Sequence, residues 1–131
     1  MTPDLIGRFL VTAFFAAVFT QSALDKLTDP QGNLEYLQSH FKNSPFPPDV
    51  VRTLFRILTA QEVAAAVLCG LGVLFFSFRN HGMNLASLGI ATSGLALLSL
   101  IVGQRFAKDY AGAAVVAAYF AVVLLGLSLF R

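Results

Sequence analysis

Glu62 stands inside an apolar run that extends from Ile57 to Phe76. A carboxylate among leucines, valines and alanines must be protonated, paired or turned toward a polar cavity, because an isolated buried charge is strongly unfavourable. Lys26, Arg105 and Lys108 are the cations that can approach it, and Gln21, one turn before Asp25, can hydrogen-bond to it. With Asp109 these residues form a candidate polar cluster: Gln21, Asp25, Lys26, Glu62, Arg105, Lys108 and Asp109. Two chemistries suit such a cluster. It can lock helices in register through a buried ion pair, or it can bind a polar headgroup and handle protons. Other chemistries are excluded or unsupported. The single cysteine, Cys69, allows no intramolecular disulfide and no Cys-x-x-Cys pair, and reads as a small apolar packer. His40 and His81 lack metal-ligand spacing and read as wet loop residues, so no metal site and no intrinsic cofactor is expected.

The elements that must position this cluster follow from composition. Of 131 residues, 56% are hydrophobic and 12% charged, and the mean hydropathy is +0.73. A small soluble domain has too little interior to hide that much apolar side chain, so lipid is the matching solvent. Disorder, coiled coil, a secreted disulfide scaffold and a soluble enzyme are excluded. The net charge of +2 is spread over the chain without a basic patch, so no nucleic acid is expected as a partner.

The apolar runs predict an all-α protein, a four-transmembrane-helix bundle forming one integral membrane domain over residues 1–131. The spans fall at residues 5–25, 50–76, 83–103 and 110–130. The first, third and fourth approximate the roughly 20 residues that cross a bilayer core of about 30 Å, and the longer second must tilt or project beyond it. The first is too long for a signal-peptide core and carries no small-residue cleavage site, so it reads as a retained span closed by Asp25-Lys26, with Arg8 snorkelling to the headgroups. Between spans one and two, Asp29-Pro30 starts a short interfacial amphipathic helix with Leu34, Leu37 and Phe41 at helical spacing. Ser44-Pro45-Phe46-Pro47-Pro48 breaks it, and Asp49 is the expected N-cap of span two.

Four antiparallel spans put the end of one, the start of two, the end of three and the start of four on one membrane face. That face gathers the candidate cluster with Gln61 and Gln104, whereas the opposite face has Asp4, Arg8, Arg79, His81 and the terminal anchor Arg131. The long-loop face also carries six of the nine lysines and arginines, which by a plain positive-inside count would turn it to the cytoplasm. The six carboxylates on that face can pair with them, however, and the rule counts free loop charge, so the orientation stays open. Gly70, Gly89, Ser93, Gly94 and the Ala113, Ala117, Ala121 series mark close helix contacts, within the chain or in a homo-oligomer. Phe14, Phe15, Phe19 and Tyr119 read as packing or lipid-facing residues, and Tyr36 and Tyr110 as interfacial anchors.

The chain resembles the DoxX family of small bacterial and archaeal four-helix membrane proteins. The matching pieces are Arg8, Ser22-Ala23-Leu24-Asp25-Lys26-Leu27, Glu62 followed by Gly70, and the stretch Gly103 to Ala114, in which Lys108-Asp109-Tyr110-x-Gly112 is the most specific. Ser22 departs from the glycine that family members often carry. The resemblance implies four helices and a quinone-linked redox setting, since the family takes its name from a thiosulfate:quinone oxidoreductase subunit. The favoured expectation is a multi-pass protein of the cell's inner (cytoplasmic) membrane, a small accessory subunit of a larger membrane complex, with redox or electron-transfer complexes as candidates. Its partners are then membrane lipids and other membrane subunits, with quinone or structural lipid as bound molecule and no intrinsic catalysis. The alternatives are a quinone-reactive oxidoreductase subunit with its headgroup site near Glu62, and a transporter or channel subunit.

Overall fold

The computed structural model describes residues 2–130, apart from the side chains of Arg79 and Asn80. Arg131 and the Arg79 side chain, both assigned above to the opposite face, therefore lie outside what it describes. Five helices follow one another: α1 Pro3–Thr28, α2 Pro30–His40, α3 Pro48–Leu74, α4 Arg79–Phe106 and α5 Tyr110–Ser128. Four of them, all but α2, are long and apolar enough to cross a membrane. The protein is a multi-pass integral membrane protein built as a four-helix bundle with α2 as an appendage.

Local chemistry explains the boundaries. Thr2 caps α1 by accepting a hydrogen bond from the Leu5 amide, and Pro3 takes the first helical position. The helix does not stop at Asp25-Lys26. Both charges find partners without leaving the helix, Asp25 from Gln21 one turn back and Lys26 from Ser22, so neither forces an end. The stop comes at Asp29, which accepts from the Gly32 amide and starts α2, while Asn33 donates to the carbonyls of Asp25 and Asp29. One joint thus ends α1 and begins α2.

Two other boundaries differ from expectation. Pro47, not Asp49, is the N-cap of α3, and no side chain caps it. Pro48 fits the first position because its missing N–H is not needed there, and Asp49 falls in the first turn, where a carboxylate complements the helix dipole. Helix α4 begins at Arg79 rather than 83, so His81 is helical and exposed rather than a loop residue. Gly82 already donates to the Phe78 carbonyl, which leaves Phe75–Phe78 as the whole connection.

Helix α3 is the hub, packed most heavily against α4 and α1, while α5 packs chiefly on α4. The shared core contains Phe15, Phe19, Ala65, Cys69, Ile90 and Val123. Phe14 and Tyr119 are lipid-facing, and their rings meet edge to face. Leu10, Val67 and Leu125 are likewise exposed and meet lipid. The small-residue positions divide. A Cβ on Gly89 would lie 2.7 Å from the Cys69 amide nitrogen, so glycine there is what lets α4 reach α3. Gly70 faces open space, and Ala117 and Ala121 point outward although Ala113 is buried.

Arg8 has a partner within the protein. Its Nε donates to the Leu129 carbonyl and its guanidinium lies 5.4 Å from the Phe130 ring centre, so it caps the end of α5.

Gly89→Ala should destabilise the protein by about 1–3 kcal/mol through overpacking of the α3–α4 contact. Gly70→Ala should stay within about 1 kcal/mol of the parent and shift stability upward if at all. Denaturant titration in detergent micelles, followed by circular dichroism, reads both.

Candidate functional site

Glu62 is 1% exposed, a carboxyl group enclosed in the core. Its Oε2 accepts from Lys26 Nζ at 2.9 Å and from Ser22 Oγ at 2.9 Å. Lys26 Nζ also donates to Ser22 Oγ at 3.0 Å, which closes a triangle. Ser22 and Lys26 are one turn apart on α1 and so share a face, aimed at α3. The charge is paired and Oε2 accepts two hydrogen bonds, which favours a buried ion pair. Ser22 was not among the candidate site residues. Its four-residue spacing to Lys26 was the available signal.

The rest of the candidate cluster separates. Gln21 does not reach Glu62; its Nε2 donates to Asp25 Oδ2 at 2.7 Å on the exposed side of α1. Arg105 is exposed and its guanidinium lies 4.7 Å from the Tyr110 ring centre, a cation–π contact that holds it away from Glu62. Lys108 is exposed in the α4–α5 turn with φ 62°, the left-handed conformation. It closes α4 as a glycine often does: its amide donates to the Arg105 carbonyl at 3.2 Å, and the Asp109 amide to that of Gln104 at 2.8 Å.

Asp109 works twice. One carboxylate oxygen accepts from the Gly112 amide and caps α5, and the other lies 3.3 Å from His40 Nε2. His40 is therefore not a wet loop residue. It ends α2, stacks on Tyr36, and ties α2 to the α4–α5 turn, because α2 folds back over that end of the bundle. Phe41 is buried beside Gly103, where a Cβ would come within 3.2 Å of its ring, and Phe46 packs on Phe106.

Between α2, α3 and α4 lies a cavity of about 530 Å³. Lys26, His40, Gln104 and Asp109 contribute its polar wall. Phe41, Phe55 and Leu58 form the buried apolar part. Gln104 Oε1 and Gln61 Oε1 are buried and accept no hydrogen bond from the protein. Among the described residues no group of three or more His, Cys, Asp and Glu is placed to hold a metal ion. The size and the mix of apolar walls with a few converging polar groups are those of a small-molecule site.

Comparison of the chain with models of protein families, with curated proteins and with solved structures finds no match.

Lys26→Met leaves Glu62 buried without its cation and should cost about 3–5 kcal/mol, whereas the double substitution Lys26→Met with Glu62→Met should recover most of that loss. A double-mutant cycle on unfolding in micelles measures the coupling. Lys108→Gly should raise stability by about 1 kcal/mol, since glycine adopts the left-handed conformation without strain; the same assay reads it.

Proposed function

We propose that this chain is a small DoxX-like subunit of a membrane redox assembly, and that it binds the head of a quinone-class lipid in the cavity beneath α2. The observation that carries the reading is that cavity: about 530 Å³, largely apolar, with Lys26, His40, Gln104 and Asp109 on its wall. A flat ring with polar oxygens and an apolar tail fits such a lining, aromatic walls taking the ring and the polar residues its oxygens.

When bound, a quinone supplies two-electron, two-proton redox chemistry, with electrons exchanged through partner subunits. The residues of this chain bind and orient. Lys26 gives one N–H to Glu62 and one to Ser22, which leaves its third for a ligand oxygen. Glu62 and Ser22 hold the ammonium in that orientation. The Gln104 side-chain amide, which lines the cavity, supplies the second polar contact by donating an N–H to a ligand oxygen. Asp109 fixes His40, and with it the α2 side of the cavity.

Mild-detergent purification from a quinone-producing host, followed by solvent extraction and mass spectrometry, should return about one quinone per chain together with co-eluting cytochromes or flavoproteins. Gln104→Leu should lower retained quinone about tenfold, the effect of losing one hydrogen bond of about 1.4 kcal/mol. Bulk lipid alone, with no redox partner, would refute the proposal.

A further inference from the structure

We infer that the cavity is loaded sideways from the bilayer, through a mouth between α3 and α4, and that its occupant has an uncharged polar head on an apolar tail. This rests on the reading of the cavity as a binding site and adds the route and the charge of the ligand.

The route follows from which lining residues are also exposed. Ile57 on α3 is 50% exposed, and Leu98 and Val102 on α4 are each 48% exposed, yet all three line the cavity. They belong to helices that cross the membrane, so what meets them is acyl chain, not water. Leu98 lies six residues deeper along α4 than Gln104, about 9 Å at the helical rise, so the mouth opens on the hydrocarbon side of the polar wall. On the other side, α2 lies across the cavity with Tyr36, Leu37, His40 and Phe41 in its lining. Tyr36 is 70% exposed, but on a helix that does not span the membrane and whose outer face meets headgroups and water, a route unfavourable to an apolar tail. A tail can lie in the mouth while the head reaches the polar wall.

The charge follows from the groups that already pair at the cavity. Lys26 is neutralised by Glu62 at 2.9 Å, and His40 faces Asp109 at 3.3 Å. The remaining cations of this end, Lys42, Arg52, Arg56, Arg105 and Lys108, are all exposed and none lines the cavity. An anionic phosphate head would enter with no uncompensated cation to receive it and would lose its hydration, which opposes binding. An uncharged head with carbonyl or hydroxyl oxygens loses far less and can use the third Lys26 N–H and the Gln104 amide.

The test uses the full chain in phosphatidylcholine nanodiscs loaded with decylubiquinone. Exchange for the deuterated compound is followed by native mass spectrometry. Leu98→Trp narrows the mouth at a lipid-facing position and should slow exchange about tenfold, while Glu35→Trp, at an exposed α2 position outside the lining, should leave it within twofold. Phosphatidylglycerol at tenfold excess over decylubiquinone should not lower the bound fraction. Normal exchange in Leu98→Trp would overturn lateral loading. Displacement by phosphatidylglycerol would overturn the uncharged head. In either case the cavity would still be a quinone-class site. Absence of bound decylubiquinone in the parent protein would overturn both this inference and the proposed function.

Discussion

A carboxylate carried 14 residues into a lipid-crossing helix cannot stand alone, and the way Glu62 is neutralised constrains much of the surrounding structure. The cation comes from Lys26, so the end of α1 must lie level with the middle of α3. Ser22, one turn earlier, supplies the second donor and leaves little freedom to slide or rotate α1 against α3. With Lys26 turned inward, α1 continues to Thr28, and the chain leaves it at the joint made by Asp29 and Asn33. From there α2 lies across the end of α3 instead of trailing into water. The position of α2 is thus downstream of one ion pair.

The cavity is a consequence of that placement. Helix α2 has no fully buried residue of its own, and it is held at its far end by side chains: His40 on Asp109, and just beyond it Phe41 on Gly103 and Phe46 on Phe106. These contacts span a gap and do not fill it, so an apolar space remains between α2, α3 and α4 with Lys26 on its wall. The turn between α4 and α5 is the counterpart anchor. Lys108 in the left-handed conformation lets the chain reverse within three residues, which places Asp109 where it can cap α5 and receive His40. Bundle packing and site geometry therefore share the same few polar residues. That sharing is economical in lipid, where each polar group needs a partner inside the protein.

Much of the architecture was legible in the residues. Four apolar stretches of span length, together with Asp29-Pro30 and the Pro45 to Pro48 cluster, anticipate four spanning helices and the extra one between the first two. Gathering the polar residues at one end also followed from antiparallel topology alone. Side-chain pairing did not. Whether Glu62 meets Lys26, Arg105 or Lys108 depends on the rotation of α1 and α4 about their own axes, to within a fraction of a turn, and a period of 3.6 residues does not resolve that. Tyr110 competes for Arg105, and nothing in the spacing weighs a cation–π contact against an ion pair. His40 was misread because its partner is 69 positions away on an element whose fold-back depends on tertiary packing. The partner of Arg8, the carbonyl end of α5, is hidden from sequence for the same reason.

The most direct check is the charge state of Glu62 inside the assembled bundle. Infrared difference spectroscopy of the reconstituted protein against Glu62→Gln isolates the bands of that one side chain. An ion pair with Lys26 predicts loss of the ionised carboxylate stretches in the variant. Loss of a protonated carboxyl C=O band in their place would mean that Glu62 is neutral, and Lys26 would then not be its counter-charge.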